Sequence, residues 1–251
     1  MQMEMLVLPQ NLNSSNEVED YVIDVIVLTC NNKEILKSFT KAIYSNTVLP
    51  FRFILLDNGS SDGTSEFIVE KLEGKRNVIS ILSPKNLGVI KGRNVGWSYS
   101  NSPFICFLDD DQIVHKGWDI QYLSMFDKGF DIVGAEAWLM NSSFFPIEKI
   151  KNSNRHFHYV GCGGMMMKKK VYEKIGFFDE IFSPAYFEDP DYNFRAADAG
   201  FVVGWNELAK ITHLKHQTLG SKNPGSIFAE SYKKFFKKWK NRKLSFIREI
   251  R

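Results

Sequence analysis

Apolar and polar positions alternate in blocks along the first half of the chain. Residues 22–29 (VIDVIVLT) form a β-branched apolar run that stops on Cys30-Asn31-Asn32, the pattern of a buried strand. Residues 33–45 place Ile35, Leu36, Phe39, Ala42 and Ile43 on one helical face. Residues 51–56 (FRFILL) predict a second strand, which ends in the dense turn signal Asp57-Asn58-Gly59-Ser60-Ser61-Asp62-Gly63. A helix over 64–72, a strand over 77–82 and a helix over 89–100 follow. A fourth strand, 104–108 (FICFL), ends on Asp109-Asp110-Asp111.

Strand–helix alternation of this kind predicts an α/β fold with a mostly parallel central sheet flanked by helices. Ligands of such sheets bind beyond the carboxyl ends of the strands. The polar clusters 29–32, 57–63 and 109–111 each follow a strand, so they are expected along one sheet edge although they span about 80 residues of sequence. The second half is less regular. It predicts a strand at 131–135, a glycine-broken apolar segment at 159–167, helices at 168–175 and 187–199, and late strands at 201–205 and 209–213. Residues 1–21 read as a polar leader, 22–223 as the folded body (divided near 115) and 224–251 as a separate C-terminal helix.

Composition narrows the class. With 44% hydrophobic, 14% aromatic and 24% charged residues in 251, the chain is neither disordered nor fibrous. Cys30, Cys106 and Cys162 form no disulfide framework and have no zinc spacing, which suggests a reducing compartment and a cytoplasmic location. No apolar run approaches the ~20 residues of a membrane span, and the N-terminus has no secretory-signal pattern. The net charge of +3 is uneven. Residues 224–251 carry nine basic and two acidic side chains, so the remainder is net −4.

Five groups of residues invite chemistry. Asp109-Asp110-Asp111 at a strand end is either an exposed acidic turn or a site for a divalent cation, Mn²⁺ or Mg²⁺, which takes oxygen ligands. Residues 57–64 are either a capped loop or part of a nucleotide pocket. Gly88, Lys91, Gly92 and Arg93 stand at a helix start, where free N–H groups and positive charge suit a diphosphate. Glu188-Asp189-Pro190-Asp191 offers adjacent carboxylates, one of which can act as a general base, or acids favoured by a helix N-terminus. His213 and His216 follow a strand and are either exposed or metal ligands.

In order, the segments DVIVLTCNN, LLDNGSSDGT, NLGVIKGRN, FICFLDDD, YVGCGGMMMKKKVYEKIGFFDE, FEDPDYNFRAADAGF and AKITH resemble family 2 glycosyltransferases of the GT-A fold, in particular bacterial rhamnosyltransferase-like members. The likeness runs from about Asp24 to His216. It implies a Rossmann-like single domain that moves a sugar, with inversion, from a nucleoside-diphosphate sugar (UDP or dTDP) to an acceptor hydroxyl in surface glycan synthesis. It also implies roles for individual positions. Thr29, Asn31 and Asp57 would line the base pocket, and Asn86, Gly88, Lys91, Arg93 and Asn94 would border the nucleotide. Asp109 and Asp111 match the D-x-D element, with His213 completing the metal site and His216 as its rival. Gly163, Gly164 and Met165 would floor the sugar pocket. Asp189, with Glu188, matches the base element, and Asp191 and Arg195 continue it. Trp138, His156, Tyr159, Asp191 and Arg195 are expected on the acceptor side, with Phe144 and Phe145 in the same irregular segment.

Two other classes stay open: a sugar-1-phosphate nucleotidyltransferase, and a non-catalytic glycan- or nucleotide-sugar-binding domain. The basic tail spaces Phe228, Tyr232, Phe235, Phe236 and Trp239 as one aromatic helical face. That face suits packing on the body, a second copy of the chain, or an anionic membrane at the inner leaflet near a lipid-linked acceptor. Nucleic acid is not an expected partner.

Overall fold

The computed structural model describes residues 6–7, 21–151, 155–214 and 223–242. Its strands are β1 (Leu6–Val7), β2 (Ile23–Thr29), β3 (Phe51–Asp57), β4 (Val78–Leu82), β5 (Phe104–Asp109), β6 (Gln112–Val114), β7 (Ile132–Gly134), β8 (Ala137–Met140), β9 (Pro146–Ile150), β10 (Tyr159–Val160), β11 (Met165–Lys168), β12 (Val203–Trp205) and β13 (Ile211–His213). The helices are α1 (Lys33–Asn46), α2 (Thr64–Lys71), α3 (Val89–Trp97), α4 (Trp118–Asp127), α5 (Lys169–Ile175), α6 (Glu188–Asp198) and α7 (Pro224–Trp239).

The central sheet runs β1-β4-β3-β2-β5-β11-β7-β12. Strands β2 to β5 pair in parallel, as do β7 and β12, while β11 lies antiparallel between β5 and β7. The sheet is therefore mostly parallel, with one reversed strand in its middle. Alternation along β2 divides the core. Val25 and Val27 join Leu36, Phe39, Ile68, Trp118 and Tyr122 under α1, α2 and α4. Ile26 joins Ile90, Trp97, Tyr192, Phe194, Phe235 and Trp239 under α3, α6 and α7. Trp97 meets five aromatic rings, from Phe107, Tyr172, Phe177, Phe178 and Tyr192. Truncating such a buried Trp to Ala costs about 3–5 kcal/mol.

The structure departs from the sequence expectations in four places. The leader contributes β1, which pairs antiparallel with β4 at the sheet edge. Residues 136–160 are not irregular throughout, because β8 pairs with β9 and β10 in a second small sheet. The apolar segment 159–167 splits into β10 and β11 at Gly161–Gly164. Finally, β6 and α4 follow the triple aspartate. Strand β6 is too short to stand out, and α4 begins after Gly117, whose φ of 77° reverses the chain.

Helix α7 lays its aromatic face on the body. Phe235 and Trp239 are fully buried, while Lys233, Phe236, Lys237 and Lys240 face solvent. Among the described residues no helix is long and apolar enough to cross a membrane.

Candidate active site

The three polar clusters meet at the carboxyl edge of the sheet. Strand β5 ends at Asp109, and the turn that follows sends the three aspartates different ways. Asp110 points inward, accepting from the Thr29 hydroxyl at 2.6 Å and from Asn32 Nδ2 at 3.0 Å. Burial, with its neighbours Asp109 and Asp111, pushes its carboxyl up to about 6 against these two hydrogen bonds. Asp109 and Asp111 turn toward His213. The antiparallel β6–β13 pair sets His213 opposite Gln112, and His213 Nε2 lies 3.0 Å from Asp111 Oδ1. That hydrogen bond raises the imidazole pKa, against the effect of burial.

One ligand atom each from Asp109, Asp111 and His213 lies within 4.8 Å of the others. Two hard carboxylate oxygens and one borderline imidazole nitrogen form a mixed donor set that fits a divalent cation such as Mn²⁺, with Mg²⁺ served by the carboxylates. Asp111 is buried and His213 half-exposed, so the cluster opens toward solvent on one side.

Arg93 ties this cluster to α6. Its guanidinium lies 2.5 Å from Asp109 Oδ1 and 3.0 Å from Glu188 Oε1, with both Arg93 and Glu188 buried. Glu188 Oε2 is buried without a hydrogen-bond partner. Burial raises the Glu188 pKa, and Arg93 opposes that rise. The next residue, Asp189, is pushed well above the carboxylate range by burial and by the Glu188 charge, and it accepts from the Cys162 backbone. The Gly161–Gly164 turn runs between these groups. A Cβ at Gly161 would stand 4.0 Å from Asp189 Oδ2 and 3.7 Å from Trp138 Nε1. A Cβ at Gly163 would collide with Asp109 Oδ2 and come within 2.9 Å of Gln112 Nε2. The turn thus runs between Asp189 on one side and Asp109 on the other, and Gly163 is what lets it pass so close to Asp109.

Several expected site residues are used differently. Thr29 is buried on Asp110. Asp57 accepts from Ser60 N at 3.2 Å and from the hydroxyls of Ser60 and Ser65. It holds the 57–65 loop. Asn31 (φ 55°) pairs with Ser60 and Ser61 and so joins that loop to the end of β2. Asn86 accepts from Asn58 and from Gly88 N, shaping the approach to α3. The start of α3 is not a free anion site: Val89 N and Ile90 N both donate to Pro184 O, and Gly88 packs on Pro184. Lys91 is exposed and lies 3.7 Å from Glu180. The Asn94 side chain clasps the Phe178 backbone, donating at 3.0 Å and accepting at 3.1 Å.

Met165 is core, paired in register with Phe107, and Gly164 packs against Ala135, Ile211 and Tyr122, so of the three only Gly163 faces the cluster. Asp191 and Arg195 lie behind the site. Asp191 is fully buried against Trp239, Lys238 and Arg195, and Arg195 caps the carbonyls of Ile175 and Phe177. Trp138 stacks on Tyr159 at 6.4 Å and 12°, beside Gly161. His156 is exposed and edges His158. His216 lies outside the described residues.

A sheet of this order, with an acidic metal-fitting cluster at the end of its fourth parallel strand and the acid pair Glu188–Asp189 facing it, is a GT-A arrangement. Residues 24–183 match the profile described as Glycosyl transferase family 2, and the chain belongs to that family.

The glycosyltransferase AglE of Haloferax volcanii is 24% identical over 228 residues, covering 86% of this chain and 71% of AglE. The cholesterol galactosyltransferase of Borreliella burgdorferi is 34% identical over 99 residues, covering 39% of this chain and 27% of that protein. Among solved structures, the mannosyltransferase PcManGT from Pyrobaculum calidifontis, in complex with GDP-Man and Mn²⁺, superposes with TM-score 0.63 at 12% identity, over 79% of this chain and 58% of that one. S. aureus TarS 1–349 in complex with UDP-GlcNAc gives 0.57 at 19% identity, over 74% and 56%. These structural likenesses establish the fold. The chain spans little more than half the length of both solved structures and about a quarter of the galactosyltransferase.

Proposed function

We propose that this chain transfers a glycosyl group, with inversion, from a nucleoside-diphosphate sugar to an acceptor hydroxyl. The observation that carries the reading is the bracketing of the Gly161–Gly164 turn by Asp189 and Asp109, with Arg93 and Glu188 linking the two sides. A sugar laid on that turn would have a base on one side and its diphosphate near the metal-fitting cluster on the other.

Asp189 takes the acceptor hydroxyl proton as the oxygen attacks the anomeric carbon. The bond from that carbon to the diphosphate breaks, and its electron pair leaves with the diphosphate. A raised carboxylate pKa suits this role, because a stronger base receives the proton more readily. Arg93 holds Glu188 and Asp109 in place through one ion pair to each. A divalent ion held by Asp109, Asp111 and His213 would neutralise charge on the leaving diphosphate. Trp138 and Tyr159 offer an apolar stacked wall beside Asp189, suited to the face of an acceptor sugar. The motif order favours the rhamnosyltransferase-like branch, a UDP or dTDP donor and a role in surface glycan synthesis.

The test is a panel of UDP-, dTDP- and GDP-sugars with simple glycoside acceptors, with and without Mn²⁺. Release of nucleoside diphosphate together with a glycosylated acceptor is expected, and Asp111→Ala should remove the Mn²⁺ dependence of UDP binding. Pyrophosphate formed from a sugar 1-phosphate and a nucleoside triphosphate would assign nucleotidyl transfer instead. Equal UDP affinity of the wild-type chain with and without Mn²⁺ would withdraw the metal site.

A further inference from the structure

Helix α6 begins in an unusual way. Tyr186 (φ 72°) and Phe187 (φ 67°) are consecutive non-glycine residues in the left-handed region, immediately before Glu188 and Asp189. Bulky aromatic residues disfavour that region and stay there only when their surroundings hold them. The direction in which Asp189 points depends on these two φ angles, because they set how the first turn of α6 leaves the preceding loop.

What surrounds the turn comes largely from α7, some 40 residues later. Phe228 lies 5.4 Å from the Tyr186 ring and 5.1 Å from the Phe187 ring. Phe235 and Tyr232 lie 5.2 Å and 5.7 Å from Phe187. Ser231 is buried and donates to the Ala185 carbonyl at 2.8 Å. On the other side of Asp189, Trp239 Nε1 donates to Asp191 at 2.9 Å, and Lys238 lies 2.7 Å from the same carboxylate. One helix therefore grips the chain just before Asp189, at 185–187, and just after it, at Asp191.

We infer that α7 is a positioning element of the catalytic unit: it locks the left-handed Tyr186–Phe187 turn and so sets the aim of Asp189. Phe228, Ser231 and Trp239 are positioning residues that touch no reacting atom. The matched family region ends at residue 183, so this device lies beyond it. The inference rests on the reading of Asp189 as the base.

The test uses the full chain and the variants Phe228→Ala, Ser231→Ala and Trp239→Phe, with Phe228→Tyr as the conservative control. Backbone hydrogen exchange is followed over residues 183–191 and over β2 and β5. Turnover is read as nucleoside diphosphate release from whichever panel donor the wild-type chain uses, and UDP affinity is measured with Mn²⁺. The first three variants are expected to exchange about tenfold faster at 183–191, with β2 and β5 unchanged. Their kcat should fall by about 10²-fold, with donor KM and UDP affinity within twofold of wild type, since misaim of the base leaves the donor site intact. Phe228→Tyr should keep both exchange and kcat.

Unchanged exchange at 183–191 would overturn the lock. Faster exchange with kcat within twofold of wild type would reduce α7 to a packing helix. Parallel loss of UDP affinity and kcat would mark general destabilisation and overturn the inference as well. If the wild-type chain turns over no donor in the panel, the transfer reading fails separately, and the exchange data still decide whether α7 holds the turn.

Discussion

Arg93 and Glu188 lie 95 positions apart in the chain and meet at 3.0 Å in the interior, with the other side of the guanidinium on Asp109. Removing one member of a buried ion pair leaves an uncompensated charge and costs about 3–5 kcal/mol. Arg93→Met should therefore lower the melting temperature and abolish turnover. Adding Glu188→Gln should recover part of the melting temperature but none of the turnover, because the neutral amide tolerates burial while Asp109 still lacks its partner. Thermal denaturation of the single and double variants checks this, and an unchanged melting temperature in Arg93→Met would show that the pair carries no weight.

Asp189→Asn keeps the shape of the side chain and removes its ability to accept a proton. The expected loss in kcat is about 10²–10⁴-fold, with UDP affinity retained. The pH dependence has a defined sign. Burial and the Glu188 charge raise the Asp189 pKa, and only the deprotonated form is a base. Wild-type kcat should thus fall as pH decreases through that raised value, well above the ordinary carboxylate range. A pH–rate profile flat down to pH 4 would remove Asp189 as the base.

Gly163→Ala puts a methyl group where Asp109 Oδ2 and Gln112 Nε2 stand. Asp109 is the group that gives way, since it ends a side chain while Gly163 is fixed between β10 and β11. UDP binding in the presence of Mn²⁺ should weaken by about tenfold, or ~1.4 kcal/mol. Calorimetric titration measures it, and unaltered affinity would mean that Asp109 has room to move without consequence for the nucleotide.

His158 accepts from Met140 N at 2.7 Å through Nδ1, while its Nε2 is buried without a partner. Burial, with His156 beside it, lowers its pKa from 6.5 to about 4. A depressed folded-state value means that its contribution is whole above the unfolded pKa and is lost as pH falls through the folded one. The melting-temperature advantage of wild type over His158→Gln should therefore be constant above about pH 6.5 and shrink between roughly pH 6.5 and 4. An advantage independent of pH over that interval would contradict the assignment.

The first half of the sheet was legible in the sequence because its strands are continuous apolar runs, each ended by a polar cluster. β2, β3, β4 and β5 lie within a residue or two of the expected bounds. The second half was harder to read. Strands β7 and β12 fall inside expected strands, but β6, with three residues, is too short to show a period of two, and β8 and β9 lie in a segment read as irregular.

For the site, residue type was informative and residue role was not. Asp109, Asp111, His213, Glu188 and Asp189 could be picked out as chemistry-bearing groups, and the structure brings the first three together and joins Asp109 to Glu188 through Arg93. Thr29, Asp57, Asn94, Asp191 and Arg195 look equally functional in the sequence, yet they bond the protein to itself.

The sequence by itself determined the α/β class, the edge where the chemistry lies and the amphipathic character of the last helix. Those follow from local periodicity and from where polar clusters interrupt apolar runs. Only the tertiary structure decided that Asp110 turns inward while its neighbours face His213, that Arg93 pairs with acids on two elements, and that α7 grips the turn before Asp189. Each of these depends on which distant group fills a side chain's hydrogen-bonding or packing capacity, and that is settled by packing between elements rather than by spacing along the chain.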